Sequence, residues 1–390
     1  MANVIRHKRG TSDPVAGDFS QTAELLINTT DGGLFTKTDG GSVVEIGSGG
    51  GGLTKFTEAE STASPNDTVY VDSLTAAASS TDADVAFIAK GAGATLAQIP
   101  DSAGTGGNKR GQYATDLQKA RVNADEVASG NYSTIAGGEG NRATGAESTV
   151  GGGTGNEIAG SQGTIAGGED NTVGSGSGST VGGGRLNTAS NNWTVVSGGY
   201  QNSATVAYAA VIGGAANDAT ASVSCVLGGS YGTTRSIQGK VAIPASNRPV
   251  STTKGSSQAG ILVLGGITTD ATAKVLISTY SGSPGTTNQL ILPNNGAHVF
   301  AGTVLAAVTG GGDSAAWEFK GLIKRGANAA ATSVVGTVVK NVIAYDSGAA
   351  AWDVTFSADT TNGGLKVEVT GAASTTIRWV AKLETTETLF

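Results

Sequence analysis

Between Asn131 and Gly232 the apolar positions follow neither a helical nor a strand period but a longer one. A β-branched residue recurs as Ile135, Val150, Ile165, Val181, Val196, Val211 and Val226, at intervals of 15, 15, 16, 15, 15 and 15 residues. Two residues after each stands a Gly pair, whose first members are Gly137, Gly152, Gly167, Gly183, Gly198, Gly213 and Gly228. Four residues after the first Gly come Asn141, Asn156, Asn171, Asn187, Asn202 and Asn217. Six after it comes a second apolar column, Ala143, Ile158, Val173, Ala189, Ala204 and Ala219. The seventh unit breaks at Gly232, where Asn is due, and terminal repeats are expected to be atypical. A coil of this length accommodates two short strands and two turns. The Gly pair removes the Cβ that would obstruct a tight corner, and Asn tolerates a left-handed backbone while bonding to nearby amides. Coils stacked in register pair each strand with its copies about 4.8 Å above and below. The pattern therefore predicts a parallel β-solenoid with a thin core, in which every coil depends on its neighbours. The Asn column reads as a stacked hydrogen-bonded ladder at a turn; the alternative is a ligand-binding surface.

Past residue 232 the pattern changes to strict alternation. Trp317, Phe319, Gly321 and Ile323 alternate with Glu318, Lys320 and Lys324, and Trp352, Val354 and Phe356 with Asp353, Thr355 and Ser357. Leu365, Val367 and Val369, then Ile377, Trp379, Ala381 and Leu383, repeat the motif, with turn clusters at 325–328, 346–348 and 361–364. Period two with one apolar face predicts an antiparallel β-sandwich or jelly roll whose tryptophans lie in the core.

The first 130 residues are less regular. Segments 24–32 and 34–46 read as strands, with turns at Asp31-Gly32 and Asp39-Gly40. Gly47 to Gly52 reads as a linker. Thr68–Asp72, Asp84–Lys90 and Leu96–Ile99 are strand-like. Leu117, Ala120, Ala124 and Val127 fall at helical spacing, which predicts a short amphipathic helix within 108–130. The expected organisation is an N-terminal β module (1–52), a small β module (53–107), a helical connector (108–130), the roll (131–232), a β connector (233–297) and a C-terminal sandwich (298–390).

The repeat T-[IV]-x-G-G-x-x-N-x-A, as in 134–143 and 149–158, resembles the head repeats of trimeric autotransporter adhesins and of related phage tail fibres. The run K-R-G-T, P-x-x-G, L-I-N-T-x-D-G-x-L-x-T-K-T-x-G-G near the N-terminus is similar to the particle-proximal segment of phage tail-fibre proteins. Segments 288–295, 319–332 and 376–387 resemble the C-terminal domain of such fibres. The resemblance implies a segmented, elongated homotrimer with left-handed rolls wound about one threefold axis. It further implies a structural virion protein, attached to other tail or capsid proteins through its N-terminal region. Its C-terminal domain is then expected to meet a host surface glycan or protein, although no residue is singled out as a receptor contact. A capsid or collar decoration is the alternative, followed by a glycan-depolymerising spike and a bacterial surface adhesin.

Composition fits this picture. Gly accounts for 62 of 390 residues, against about 7% in ordinary proteins. Charged residues make up 14% and the net charge is −7, so the surface is built from Ser, Thr, Asn and Gly. With no basic stripe beyond Arg6 to Arg9, nucleic-acid binding is not expected. No run approaches the length of a membrane helix, and synthesis in the host cytoplasm followed by incorporation into the virion is the expectation. The only cysteine is Cys225, and the only histidines are His7 and His298. Phosphate-loop, zincin, nucleophile-elbow and EF-hand motifs are missing. Glu384 and Glu387 are a carboxylate pair of the kind used for glycan hydrolysis, but nothing in the sequence brings a pair together in a groove. The expectation is a non-enzyme without cofactor or metal.

Overall fold

In the computed structural model, residues 7–10, 15, 25–28, 34–37, 43–45, 56–61, 71–76, 89–247 and 250–390 are described. They fall into two units, 1–87 and 88–390. In the first, β1 (His7–Gly10), β2 (Leu25–Asn28), β3 (Leu34–Lys37) and β4 (Val43–Glu45) form one sheet in chain order. β1 runs parallel to β2 and the other pairs are antiparallel. Phe35 is its buried residue, packed against Val43. β5 (Phe56–Ser61) and β6 (Val71–Ala76) pair antiparallel. The turns expected at Asp31-Gly32 and Asp39-Gly40, the linker at 47–52 and most of the strand expected from Asp84 lie outside the described residues.

The second unit opens with the solenoid, which starts earlier than its repeats do. β7 (Thr95–Leu96) and β8 (Thr115–Asp116) pair parallel with each other, and β8 pairs with β9 (Thr134–Ile135). The ladder continues through β11 (Thr149–Val150), β13 (Thr164–Ile165), β15 (Thr180–Val181), β17 (Val195–Val196), β19 (Ala210–Val211) and β21 (Cys225–Val226). A second parallel ladder stacks β10 (Arg142–Ala143), β12 (Glu157–Ile158), β14 (Thr172–Val173), β16 (Thr188–Ala189), β18 (Ser203–Ala204) and β20 (Asp218–Ala219). Between them runs a column of single bridges, Glu139 to Thr154 to Glu169 and onward. The inward residue of every repeat strand is fully buried, from Ile135 and Ala143 to Ala219 and Val226. Each such Val or Ile contributes about 1.5–3 kcal/mol on burial, which is why a single coil cannot stand alone.

Residues 108–130 hold no helix, which corrects the sequence reading. The stretch contains β8, turns and isolated bridges. Its expected apolar face is split, since Leu117 is exposed and Val127 buried, whereas the polar Asp116 and Gln118 point inward. A helix of three turns is marginal alone. The adjoining coil offers the same backbone better bonds: Thr115 N–H donates to Ser133 O and Leu117 N–H to Ile135 O, both at 2.9 Å.

The roll merges into the C-terminal domain without a break in pairing. β22 (Val241–Pro244) is parallel to β21 and antiparallel to β23 (Ser257–Thr268). β24 (Lys274–Val275) and β25 (Leu290–Ile291) belong to a smaller sheet. β26 (Gly296–Val308), β27 (Ser314–Arg325) and β28 (Thr332–Tyr345) extend the large one. β29 (Asp353–Asp359) and β30 (Gly364–Thr370) complete the small sheet, and β31 (Ile377–Leu389) inserts between β23 and β26. The large sheet therefore runs from the roll through β22, β23, β31, β26 and β27 to β28 at its free edge. The sandwich core lies between the two sheets. Trp317, Trp352 and Trp379 are 3%, 5% and 1% exposed, as the phase of their strands predicts. Trp379 stacks on Trp317 with centroids 5.8 Å apart and donates its indole N–H to Thr268 Oγ1 at 2.9 Å.

Candidate functional site

The Gly and Asn columns meet at one corner of every coil. Asn156 N–H donates to Asn141 Oδ1 at 3.0 Å, and the link repeats through Asn171, Asn187, Asn202 and Asn217 to Gly232 N–H. Each Nδ2 donates twice more, to the first Gly carbonyl of its own coil and to a Gly carbonyl of the next. For Asn171 these are Gly167 O at 3.1 Å and Gly184 O at 2.8 Å. All six asparagines are fully buried, so their amides face the interior and offer nothing to an external ligand. The second Gly of each pair is obligatory. Gly153 has φ +85°, and a Cβ there would lie 2.1 Å from Gly168 O. Gly232 replaces the last Asn because a Cβ at that point would meet Pro244 Cγ at 2.2 Å.

Buried polar groups that escape the period close both ends of the roll. At the start, Gln118 tops the Asn column: its Oε1 accepts Asn141 N–H at 3.0 Å and its Nε2 donates to Asn141 O at 2.8 Å. Asp116 occupies the inward apolar column and accepts from Arg110 Nε at 2.7 Å, with Arg121 at 3.5 Å. At the far end Glu387 of β31 accepts from Arg235 Nε (2.9 Å), Lys240 Nζ (2.5 Å), Gln258 Nε2 (2.7 Å) and Thr385 Oγ1 (2.7 Å). Burial alone would raise the Glu387 carboxyl, but the charges of Lys240 and Arg235 and the hydrogen bond from Lys240 hold it below the usual carboxylate range. Burial pushes His298 down to about 3, so it is neutral at pH 7. Neither of its ring nitrogens has a hydrogen-bond partner.

The carboxylates Glu384 and Glu387 are not brought together. They project from opposite faces of β31, Glu384 outward and Glu387 into the buried cluster. A different polar group lies on the outward face of the large sheet. Glu318 and Lys320 of β27 and Lys382 and Glu384 of β31 border a depression of about 340 Å³ over Gly302. Within it Lys382 Nζ donates to Glu384 and Asn341 Nδ2 to Glu318, both at 2.8 Å.

The two outer faces of the roll differ in charge. Along the ladder from β9 to β21, every outward position from Thr134 to Leu227 is Thr, Ser, Ala, Gly, Val, Ile, Leu or Cys. Toward the C-terminal domain this face becomes apolar: Ile212 and Leu227 are exposed, and Cys225 is half-buried on it. The opposite ladder and the bridge column carry the ions. Arg142 pairs with Asp125 at 2.9 Å and also with Glu157, Arg185 pairs with Glu169 at 3.4 Å, and Lys254 with Asp218 at 2.5 Å. A third feature escaped the sequence reading. Five residues before the Gly pairs, Tyr132, Trp193, Tyr208 and Val223 sit at φ +56° to +63°, each exposed, and Tyr113 stacks on Tyr132 at 4.9 Å. The fixed offset from the Gly pair was the available signal.

No family model matches the chain, and no curated protein matches it. Solved structures with some likeness include the tailspike protein gp49 from Acinetobacter baumannii bacteriophage Fri1, described as a capsular polysaccharide depolymerase. It is 8% identical with a TM-score of 0.23, over 71% of this chain and 61% of that one. The Acinetobacter baumannii phage AM24 tailspike protein is 10% identical with a TM-score of 0.19, over 73% of this chain and 60% of that one. The chain thus spans about three fifths of the length of either. The expectation of a non-enzyme does not survive the first of these findings and is withdrawn. At these scores the likeness gives this chain neither a substrate nor a catalytic residue.

Proposed function

We propose that the chain is the subunit of a homotrimeric phage tail protein that attaches the virion to a host surface. The observation that supports it best is the charge asymmetry of the roll. A solvated sheet face in a protein of net charge −7 normally carries ions, and one of the two ladders does. The other is free of charge over seven coils and turns apolar as it enters the large C-terminal sheet, which is the composition of an interface between copies. Repeats that resemble fibre heads and a C-terminal segment that resembles fibre tips agree with this reading. The N-terminal module is then the part that meets other virion proteins, and the C-terminal domain the part that meets the cell. The test is co-sedimentation of fluorescently labelled full-length protein with a panel of bacterial strains. Saturable binding to a subset, competed by unlabelled protein, is expected. Uniform absence of binding, with the protein folded, would point to the decoration role.

A further inference from the structure

Lys240 is sealed inside the molecule, 1% exposed, where the last coil of the roll turns into β22. A buried ammonium is costly unless its charge is matched. Here the match is incomplete. Lys240 and Arg235 share Glu387, the one carboxylate that either contacts among the described residues. Burial accordingly pushes the Lys240 ammonium below its usual range. An ion pair needs nothing more than these groups, yet Glu387 has a further partner. Its Oε1 accepts from Lys240 Nζ at 2.5 Å, and its Oε2 accepts from Gln258 Nε2 of β23 at 2.7 Å. A buried amine and a buried carboxamide thus flank one carboxylate. Gln258 Oε1 accepts Thr233 N–H at 2.9 Å, a donor standing where negative charge would develop if the amide carbon were attacked. Gly260, two residues along β23, leaves the lysine its path. A Cβ there would lie 2.9 Å from Lys240 Cε and 2.8 Å from Glu387 Oε1.

We infer that Lys240, Gln258 and Glu387 are an intramolecular isopeptide site, at which the lysine amine is acylated by the glutamine side chain. The Glu387 carboxylate takes a proton from Lys240 Nζ, and the freed amine attacks Gln258 Cδ. The bond from Nζ to Cδ forms while Thr233 N–H holds the oxyanion, and the bond from Cδ to Nε2 then breaks. Two protons in all pass from Nζ through Glu387 to Nε2, which leaves as ammonium, so neither oxidant nor cofactor is required. The product leaves Glu387 opposite Arg235 alone and removes the unmatched buried charge. It also ties the last coil of the roll covalently to β23, so that a pull on the roll reaches the sandwich without loading the loop between β22 and β23.

The test is mass spectrometry of the purified full-length chain, denatured, with a tryptic map. Wild type is expected to be lighter than its sequence by one ammonia. Trypsin should spare Lys240, and the peptide 236–254 should be joined to 255–274 through Lys240 and Gln258. Lys240→Arg and Glu387→Ala are expected at the full mass of their own sequences, with near-UV circular dichroism of the buried tryptophans reporting folding. A wild type of full mass, cut by trypsin after Lys240, would overturn the proposal without reference to any variant. A loss of one water, with Lys240 joined to Glu387 instead, would overturn the assignment of Gln258. A folded Glu387→Ala chain that still loses ammonia would overturn the role of the carboxylate.

Discussion

The roll and the sandwich solve the problem of a sparse hydrophobic sequence in opposite ways. The sandwich gathers large side chains from distant positions: Trp379 stacks on Trp317 and touches Trp352, and Phe319 lies 4.4 Å from Phe356. The roll buries only a Val or Ile and one further Ala, Val or Ile per coil, and fills the rest of its interior with asparagine amides and backbone. One core is specified by shape, the other by hydrogen bonding. Stability in the roll should therefore be lost through backbone and amide changes, and in the sandwich through loss of volume.

The strongest way to break the comparison is to put a side chain where the roll tolerates none. Gly153→Val places a Cβ against the carbonyl of Gly168 in a left-handed backbone. It is expected to cost upwards of about 4 kcal/mol and to abolish the roll's transition in thermal melts followed by far-UV circular dichroism. Trp379→Ala should cost about 3–5 kcal/mol, read as a lower sandwich melting temperature in near-UV circular dichroism. The same substitution at exposed Trp193 should leave that temperature unchanged. Asn171→Ala removes an amide that bridges three coils and leaves Gly167 O, Gly184 O and Asn187 N–H without it. About 2–3 kcal/mol is expected from denaturant melts, against almost none for Thr172→Ala on the half-exposed side of the same strand.

The junction between the two regions should respond to acid. His298 has a folded value of about 3, below its unfolded value of about 6.5, so the unfolded state takes up the proton first. Stability contributed by neutral His298 is full above pH 6.5 and declines by up to about 1.4 kcal/mol per pH unit toward pH 3. Glu387, held low in the fold, adds a second loss only below about pH 4.3. His298→Asn should flatten the profile between pH 6.5 and 4.5 in melts taken across that range. The smallest effect is expected on the roll's charged face. Arg185→Ala breaks an exposed pair with Glu169 and should cost less than about 0.5 kcal/mol by the same melts.

These contrasts also explain what could be read without coordinates. The Gly and Asn columns are visible because each coil meets the same local demand at the same interval, and the tryptophan phases because alternation survives in each strand alone. Asp116 and Gln118 are not visible, since they work only through coils 19 and 23 residues on, and the neighbouring Leu117, Ala120, Ala124 and Val127 imitate a helix. The Glu387 cluster joins residues more than 120 positions apart, so no local pattern announces it. β28 is a different case. Its doubled valines were present in the sequence, but their meaning depends on the strand lying at an edge.

The uncharged ladder of the roll is the surface through which this account has copies of the chain associate. Light scattering on the purified full-length protein at neutral pH measures this directly. Three chains of 38.3 kDa give about 115 kDa, the value this account predicts. A mass near 38.3 kDa over the accessible concentration range would mean that this ladder stays in water, and would contradict it.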